Sequence, residues 1–264
     1  MIITPKEAAR EALQRAKDQI VQLGKAACRP IYRSSDGEPE HVGSGTFISI
    51  NEKDYFLTAA HVLDKVGGES FFVGQDTTLP INLTVHSTTA PDGNRELDKL
   101  DFAFAQVGDF WRDQGIVPLQ FDLLRQFHTP LYSAFGWPCA KNRKRSINSQ
   151  ANTIRPTCRQ FLSTEIGLSD ALAKEGFSNE HHLVMHRPKF SEIDGVKVKT
   201  FEPRGMSGGV IFGIGKAHKA TVLAGVEEAV VFPAAIVIEK HLPGEALIGV
   251  RLSTIARAIS QQAY

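Results

Sequence analysis

Three side chains that together could run acyl transfer occur in the order His, Asp, Ser. They are His61 in Thr58-Ala59-Ala60-His61-Val62, Asp101 in Leu100-Asp101-Phe102-Ala103, and Ser207 in Gly205-Met206-Ser207-Gly208-Gly209. A serine hydroxyl is a poor nucleophile at neutral pH until a neighbouring base accepts its proton. An imidazole titrating near neutrality can be that base, and a carboxylate can hold its tautomer and stabilise the imidazolium. Glycines at 205, 208 and 209 permit a tight turn and close backbone approach around the serine. The plainer reading is an ordinary serine in a surface turn, which leaves the other two ordered motifs unexplained. Since the three residues lie far apart in sequence, only a fold can bring them together.

The elements that would position them read mainly as strand and turn. Gly45 to Ile50 alternates small or polar with apolar residues, Asn51-Glu52-Lys53-Asp54 supplies a turn, and Tyr55 to Thr58 returns as a second strand. Further β-rich runs cover 71–73, 81–85, 102–105, 131–135, 210–212, 222–226 and 246–250. Many short strands argue for an all-β sandwich or barrel, and the pattern alone does not choose between them. At the N-terminus, Thr4-Pro5-Lys6-Glu7 fits a capping box. Ala9, Leu13, Ala16, Ile20 and Leu23 then recur at helical spacing, with Gly24 as the expected stop. Ser253 to Ile259 reads as a capped closing helix.

The three motifs resemble those of the chymotrypsin-like (trypsin-like) serine proteases, and within them the simpler bacterial members related to HtrA. The resemblance runs from about Gly43 to about Ile259. It implies two packed six-stranded antiparallel β-barrels with an N-terminal helix and a C-terminal helix. The helix would cover residues 1–24 and the protease domain 25–264, with barrels at about 40–115 and 128–255 and a boundary near Asp113 to Phe127. No PDZ domain is expected after Ile259. By resemblance Ser207 is the nucleophile, His61 the general base and Asp101 its orienting carboxylate, with the N–H groups of Gly205 and Ser207 as the oxyanion hole. Asp98 rivals Asp101, but only Asp101 opens the run Phe102-Ala103-Phe104-Ala105 that matches the family's Asp-hydrophobic-Ala pattern.

Two departures bear on regulation. Secreted animal relatives carry a disulfide-bonded cysteine directly after the histidine, where this chain has Val62. Zymogen-type relatives carry an aspartate directly before the serine, where this chain has Met206. Activation by pairing with a new N-terminus is therefore not expected. The resemblance places Phe201, Glu227, Gly249 and Arg251 around the specificity pocket. These leave apolar, basic and acidic preferences open, with a lean towards a small or apolar residue.

Composition bounds the rest. The 264 residues include 42% hydrophobic and 22% charged residues with a formal net charge of +1, ordinary for a globular enzyme. That charge gives no general attraction to nucleic acid or membrane, and the basic run Lys141 to Arg145 reads as a solvated loop. No stretch approaches the roughly 20 apolar residues of a membrane span. Three cysteines, Cys28, Cys139 and Cys158, and an N-terminus without an apolar signal core lead to an expectation of cytoplasmic residence. His181, His182 and His186 lack partners at metal-ligand spacing, so neither metal nor cofactor is expected. The expected activity is proteolysis of protein or peptide substrates, restrained by a regulatory partner or the N-terminal helix. The alternatives are a latent or non-catalytic binding module and an esterase.

Overall fold

The computed structural model describes residues 5–35, 38–67, 71–75, 77–81, 83–123, 129, 131–139, 142, 147–148, 153–193, 196–216, 229–241 and 245–262. The chain opens with helix α1 (Pro5–Ala27). Ala12, Ala16 and Ile20 are buried, with Leu13 and Leu23 packed beside them, so one stripe of the helix faces the core. The expected stop at Gly24 does not occur, and the helix continues to Ala27. A Cβ at Gly24 would lie 2.5 Å from the Phe135 ring. This glycine is a close-approach residue that lets α1 lie against Phe135, not a cap. Thr4, the expected cap, lies outside the described residues.

The first sheet follows. Its strands are β1 (Cys28–Ser35), β2 (Glu38–Ile50), β3 (Lys53–Ala59), β4 (Phe71–Gln75), β5 (Thr77–Ile81), β6 (His86–Ser87) and β7 (Phe102–Gln106). They form an antiparallel path ordered β5-β4-β1-β2-β3-β7-β6. Asn51 and Glu52 link β2 to β3 with φ of 50° and 64°, the positive values of a two-residue hairpin loop that suits strand twist. The strand expected over 81–85 stops at Ile81, because its partner β4 begins at Phe71, which pairs with Ile81. Helix α2 (Ala60–Asp64) follows β3, and α3 (Phe110–Asp113) precedes β8 (Leu119–Phe121). Strand β8 joins β2 in parallel, so the first half extends into the expected boundary segment.

The second half begins with β9 (Leu131–Gly136), a short ladder of β10 (Ile147–Asn148) with β11 (Thr153–Ile154), and β12 (Arg159–Thr164). Helix α4 (Asp170–Lys174) and β13 (His182–His186) come next, then a hairpin of β14 (Phe190–Ile193) with β15 (Val196–Lys199). Strands β16 (Val210–Lys216), β17 (Ala229–His241) and β18 (Ala246–Arg251) lead into helix α5 (Leu252–Gln262). The second sheet is ordered β12-β9-β16-β17-β18-β13. Residues 222–226, expected as strand, lie outside the described residues.

The architecture is the expected all-β one: two curled antiparallel sheets forming half-barrels, with a helix at each end. Helix α5 buries Leu252, Ile255, Ala256 and Ile259 against the second half. One large apolar cluster runs through both halves, and a smaller one gathers Met206, Ile211, Ala235 and Leu247. Gly24→Ala provides a test of the α1 contact. Helix propensity alone favours alanine by about 1 kcal/mol. The forced shift of the fully buried Phe135 should outweigh that gain, for a net loss of about 1–3 kcal/mol in urea unfolding.

Candidate active site

His61 sits on the second residue of α2, directly after β3. Ala59 and Ala60 before it are fully buried, which explains the small residues. The Ala60 N–H donates to the Asp101 carbonyl at 3.0 Å and the His61 N–H to Asp101 Oδ1 at 2.8 Å. The imidazole Nδ1 meets Asp101 Oδ2 at 2.6 Å. Asp101 thus grips both the backbone and the ring of His61, fixing which nitrogen faces outward. Behind His61, the Val62 methyls fill the space over Gly43, where a Cβ would approach them to 2.6 Å. Apolar packing braces the histidine here.

Asp101 itself is in a conformation few non-glycine residues adopt, with φ of 38°. Asp98 holds it there: Oδ1 of Asp98 accepts the Asp101 N–H at 3.0 Å and the Leu100 N–H at 3.2 Å. The Thr88 hydroxyl and Arg95 Nη1 donate to the other oxygen, the latter at 2.6 Å. Arg95 Nε also reaches Asp64 Oδ2 on α2 at 2.8 Å, closing a loop back to the helix that carries His61. From the second half, His182 Nε2 donates to the Lys99 carbonyl at 2.8 Å while its Nδ1 accepts the Ser178 N–H. Asp98, the rival to Asp101 in the sequence, therefore positions it.

Ser207 lies in a turn that only glycine can flank. Gly205 and Gly208 have φ of 93° and 87°, and a Cβ at Gly208 would sit 1.8 Å from the Ser44 carbonyl oxygen. Ser44, on β2, stitches this turn to the first half. Its N–H donates to the Ser207 carbonyl at 2.8 Å, and its hydroxyl donates to the Gly205 carbonyl at 2.8 Å. The same hydroxyl accepts the Trp137 N–H at 3.1 Å. Met206 is fully buried in the smaller cluster, so an apolar anchor occupies the position before the serine.

Two peptide planes in this turn have a defined facing. The Arg204 carbonyl accepts the Cys139 N–H at 2.7 Å, and the Met206 carbonyl accepts the Gly209 N–H at 2.7 Å. In a trans peptide N–H and C=O point opposite ways, so the amides of Gly205 and Ser207 face away from those partners. Neither donates to a backbone acceptor among the described residues. His61, Asp101, Gly205 and Ser207 line one cleft of about 450 Å³. No hydrogen bond joins the Ser207 hydroxyl to His61 among the described residues. Such bonds are often long without substrate and tighten in the complex.

Three of the four expected pocket residues are described. The Phe201 ring packs edge-on against Phe161, and Gly249 is a close-approach point within the sheet, beside Ile211 and Ile236. Arg251 pairs with Glu165 at 2.5 Å and donates to the Asn179 carbonyl, so its charge is met by Glu165. Glu227 lies outside the described residues, as do Lys141 and Arg143 to Arg145 of the basic run. The apolar part of the cleft wall comes from Pro203, Val237, Ile238 and Leu247. Val237 is tied to the serine turn, its carbonyl accepting the Gly208 N–H and its N–H donating to the Gly209 carbonyl, both at 2.7 Å. Nothing local marks Val237 and Leu247, which reach the site through strand pairing. The three cysteines are free thiols.

No family model and no curated protein sequence matches the chain. Solved structures do match in shape. Mouse neuropsin, a serine protease expressed in the limbic system of the brain, is 12% identical with a TM-score of 0.54, covering 92% of this chain and 96% of that one. The scabies mite inactivated protease paralogue is 11% identical with a TM-score of 0.53, covering 91% and 95%. The fold is that of the chymotrypsin-like serine proteases. A structure from work on the coupled folding and binding of the Sesbania mosaic virus VPg protein is 12% identical with a TM-score of 0.50, covering 89% and 90%. At these identities the likeness concerns the fold, and one neighbour is by its own name inactivated, so activity has to be argued from the site.

Burial also sets a pH dependence. It pushes His41 down to about 4 and holds His182 below its ordinary value. Unfolded histidines titrate near 6.5, so between that pH and about 4 the unfolded chain binds more protons. The contribution of these groups is complete above about pH 6.5 and is lost as pH falls towards 4. The melting temperature should drop over this interval, and His41→Gln should flatten the slope.

Proposed function

We propose that the chain is a serine endopeptidase of the HtrA-like type, acting through Ser207, His61 and Asp101. The observation that carries this reading is the two-point hydrogen bonding of Asp101 to His61 beside a cleft that also contains Ser207. His61 takes the hydroxyl proton as Ser207 Oγ attacks a peptide carbonyl. The N–H groups of Gly205 and Ser207 receive the developing oxyanion, and one such donor is worth roughly 3–4 kcal/mol in the transition state. His61 then gives its proton to the leaving amine. Water, deprotonated by His61, releases the acyl group from Ser207. Asp101 holds the ring throughout and steadies the imidazolium. The apolar wall of Pro203, Val237, Ile238 and Leu247 supports a small or apolar residue before the scissile bond.

Three free thiols support residence in a reducing compartment, which we take to be the cytoplasm of a bacterium. An intracellular protease needs restraint, and α1 offers a partner-accessible face in exposed residues such as Arg10 and Glu11. A second reading, a latent or non-catalytic module awaiting a partner, is favoured by the unmade Ser207–His61 hydrogen bond.

A fluorophosphonate probe separates the two. Wild-type protein should be labelled at Ser207, with Ser207→Ala and His61→Ala unlabelled. Asp101→Asn should retain its fold and lose about 10⁴-fold in turnover, because the histidine tautomer is no longer enforced. Well-folded wild type that stays unlabelled, alone and with candidate partners, would instead establish the non-catalytic module.

A further inference from the structure

Charges of both signs line the cleft, with the carboxylates of Glu96, Asp98, Asp101 and Glu202 beside the cations. Arg95 is held by Asp64 and Asp98, and Asp101 by His61. Lys65 and Arg204 differ: both line the cleft beside His61, Gly205 and Ser207, and neither forms an ion pair with a described residue. Lys65 caps α2, four residues beyond His61, and its carbonyl accepts a bond from Arg33, which fixes the segment. Arg204 directly precedes the serine turn, with its carbonyl held by Cys139. The two cations act on one another and on the Cys139 thiol, and partial burial disfavours the Lys65 charge. Both side chains are exposed at the rim, where two neighbouring like charges repel one another until an anion arrives.

The position of the pair tells which part of a ligand it would meet. His61 must deliver its proton to the leaving nitrogen, so the peptide that departs has to pass over the imidazole. Lys65 follows one helical turn later on the same helix. Residues just after the scissile bond would therefore run between Lys65 and Arg204.

We propose that Lys65 and Arg204 form an anion-accepting subsite that selects substrates with an acidic side chain at the first or second position after the cleaved bond. This rests on the protease reading above and adds to it a substrate class. The same cleft has an apolar wall near Val237, which would face the residue before the bond. Each partly exposed ion pair contributes up to about 1 kcal/mol, so the combined preference should be about five- to tenfold in kcat/KM and shrink as salt is raised.

The test is cleavage of a proteome-derived peptide library by wild type, by K65Q/R204Q and by K65E/R204E, with melting temperatures and fluorophosphonate labelling run on the same preparations. Wild type should enrich Asp and Glu after the cut, K65Q/R204Q should lose that enrichment, and K65E/R204E should turn it towards Lys and Arg. A reversed preference cannot come from a misfolded variant. Labelled wild type with no acidic enrichment, or enrichment that survives in K65Q/R204Q, would overturn the subsite and leave the protease reading standing. Wild type that is neither labelled nor cleaves any peptide would overturn both.

Discussion

A carboxylate that must hold a neighbouring imidazole in one orientation cannot itself be free to turn. Asp101 meets this requirement by spending both oxygens on His61, one on its N–H and one on its ring. The cost is a backbone in the left-handed region, where a residue with a side chain persists only if its surroundings enforce it. Asp98, Arg95 and Thr88 provide that enforcement, and His182 adds a tie from the other half. The orientation of a single imidazole thus draws on a hydrogen-bonded chain running through Asp64, Arg95, Asp98 and Asp101. Within it, each carboxylate of Asp98 and Asp101 is buried and satisfied, the condition under which burying charge is tolerable.

The serine turn depends on the opposite kind of support. It is held by backbone groups and by glycines that admit close approach, with Ser44 as the shared partner across the two halves. Thr58 donates to the Ser44 carbonyl and Thr46 to that of Gly208, so small hydroxyl residues line the seam. Met206 then locks the turn from beneath with apolar packing. The turn's shape is accordingly a property of the packed core.

Much of this was legible in the sequence where the physical demand is local. The glycines around Ser207, the alanines before His61 and the apolar run after Asp101 each reflect a constraint on their own backbone. Asp98 drew notice for the right chemistry, but its part as a support depends on a folded loop. Gly24 was misread because a glycine near a helix end serves equally as a stop or as a contact point, and only Phe135 decides between them. The pairing of Arg251 with Glu165 is invisible in the sequence because 86 positions separate them. Val237 and Ile238 carried no signal at all, since strand register across three elements brings them to the cleft.

The ring of Phe135 has α1 on one side, at Gly24, while its carbonyl crowds Gly209 of the serine turn on the other. Phe135 therefore meets both the N-terminal helix and the turn that carries Ser207. Removing α1 would uncover the buried Phe135 ring, so shortening the chain from its N-terminus amounts to an internal deletion.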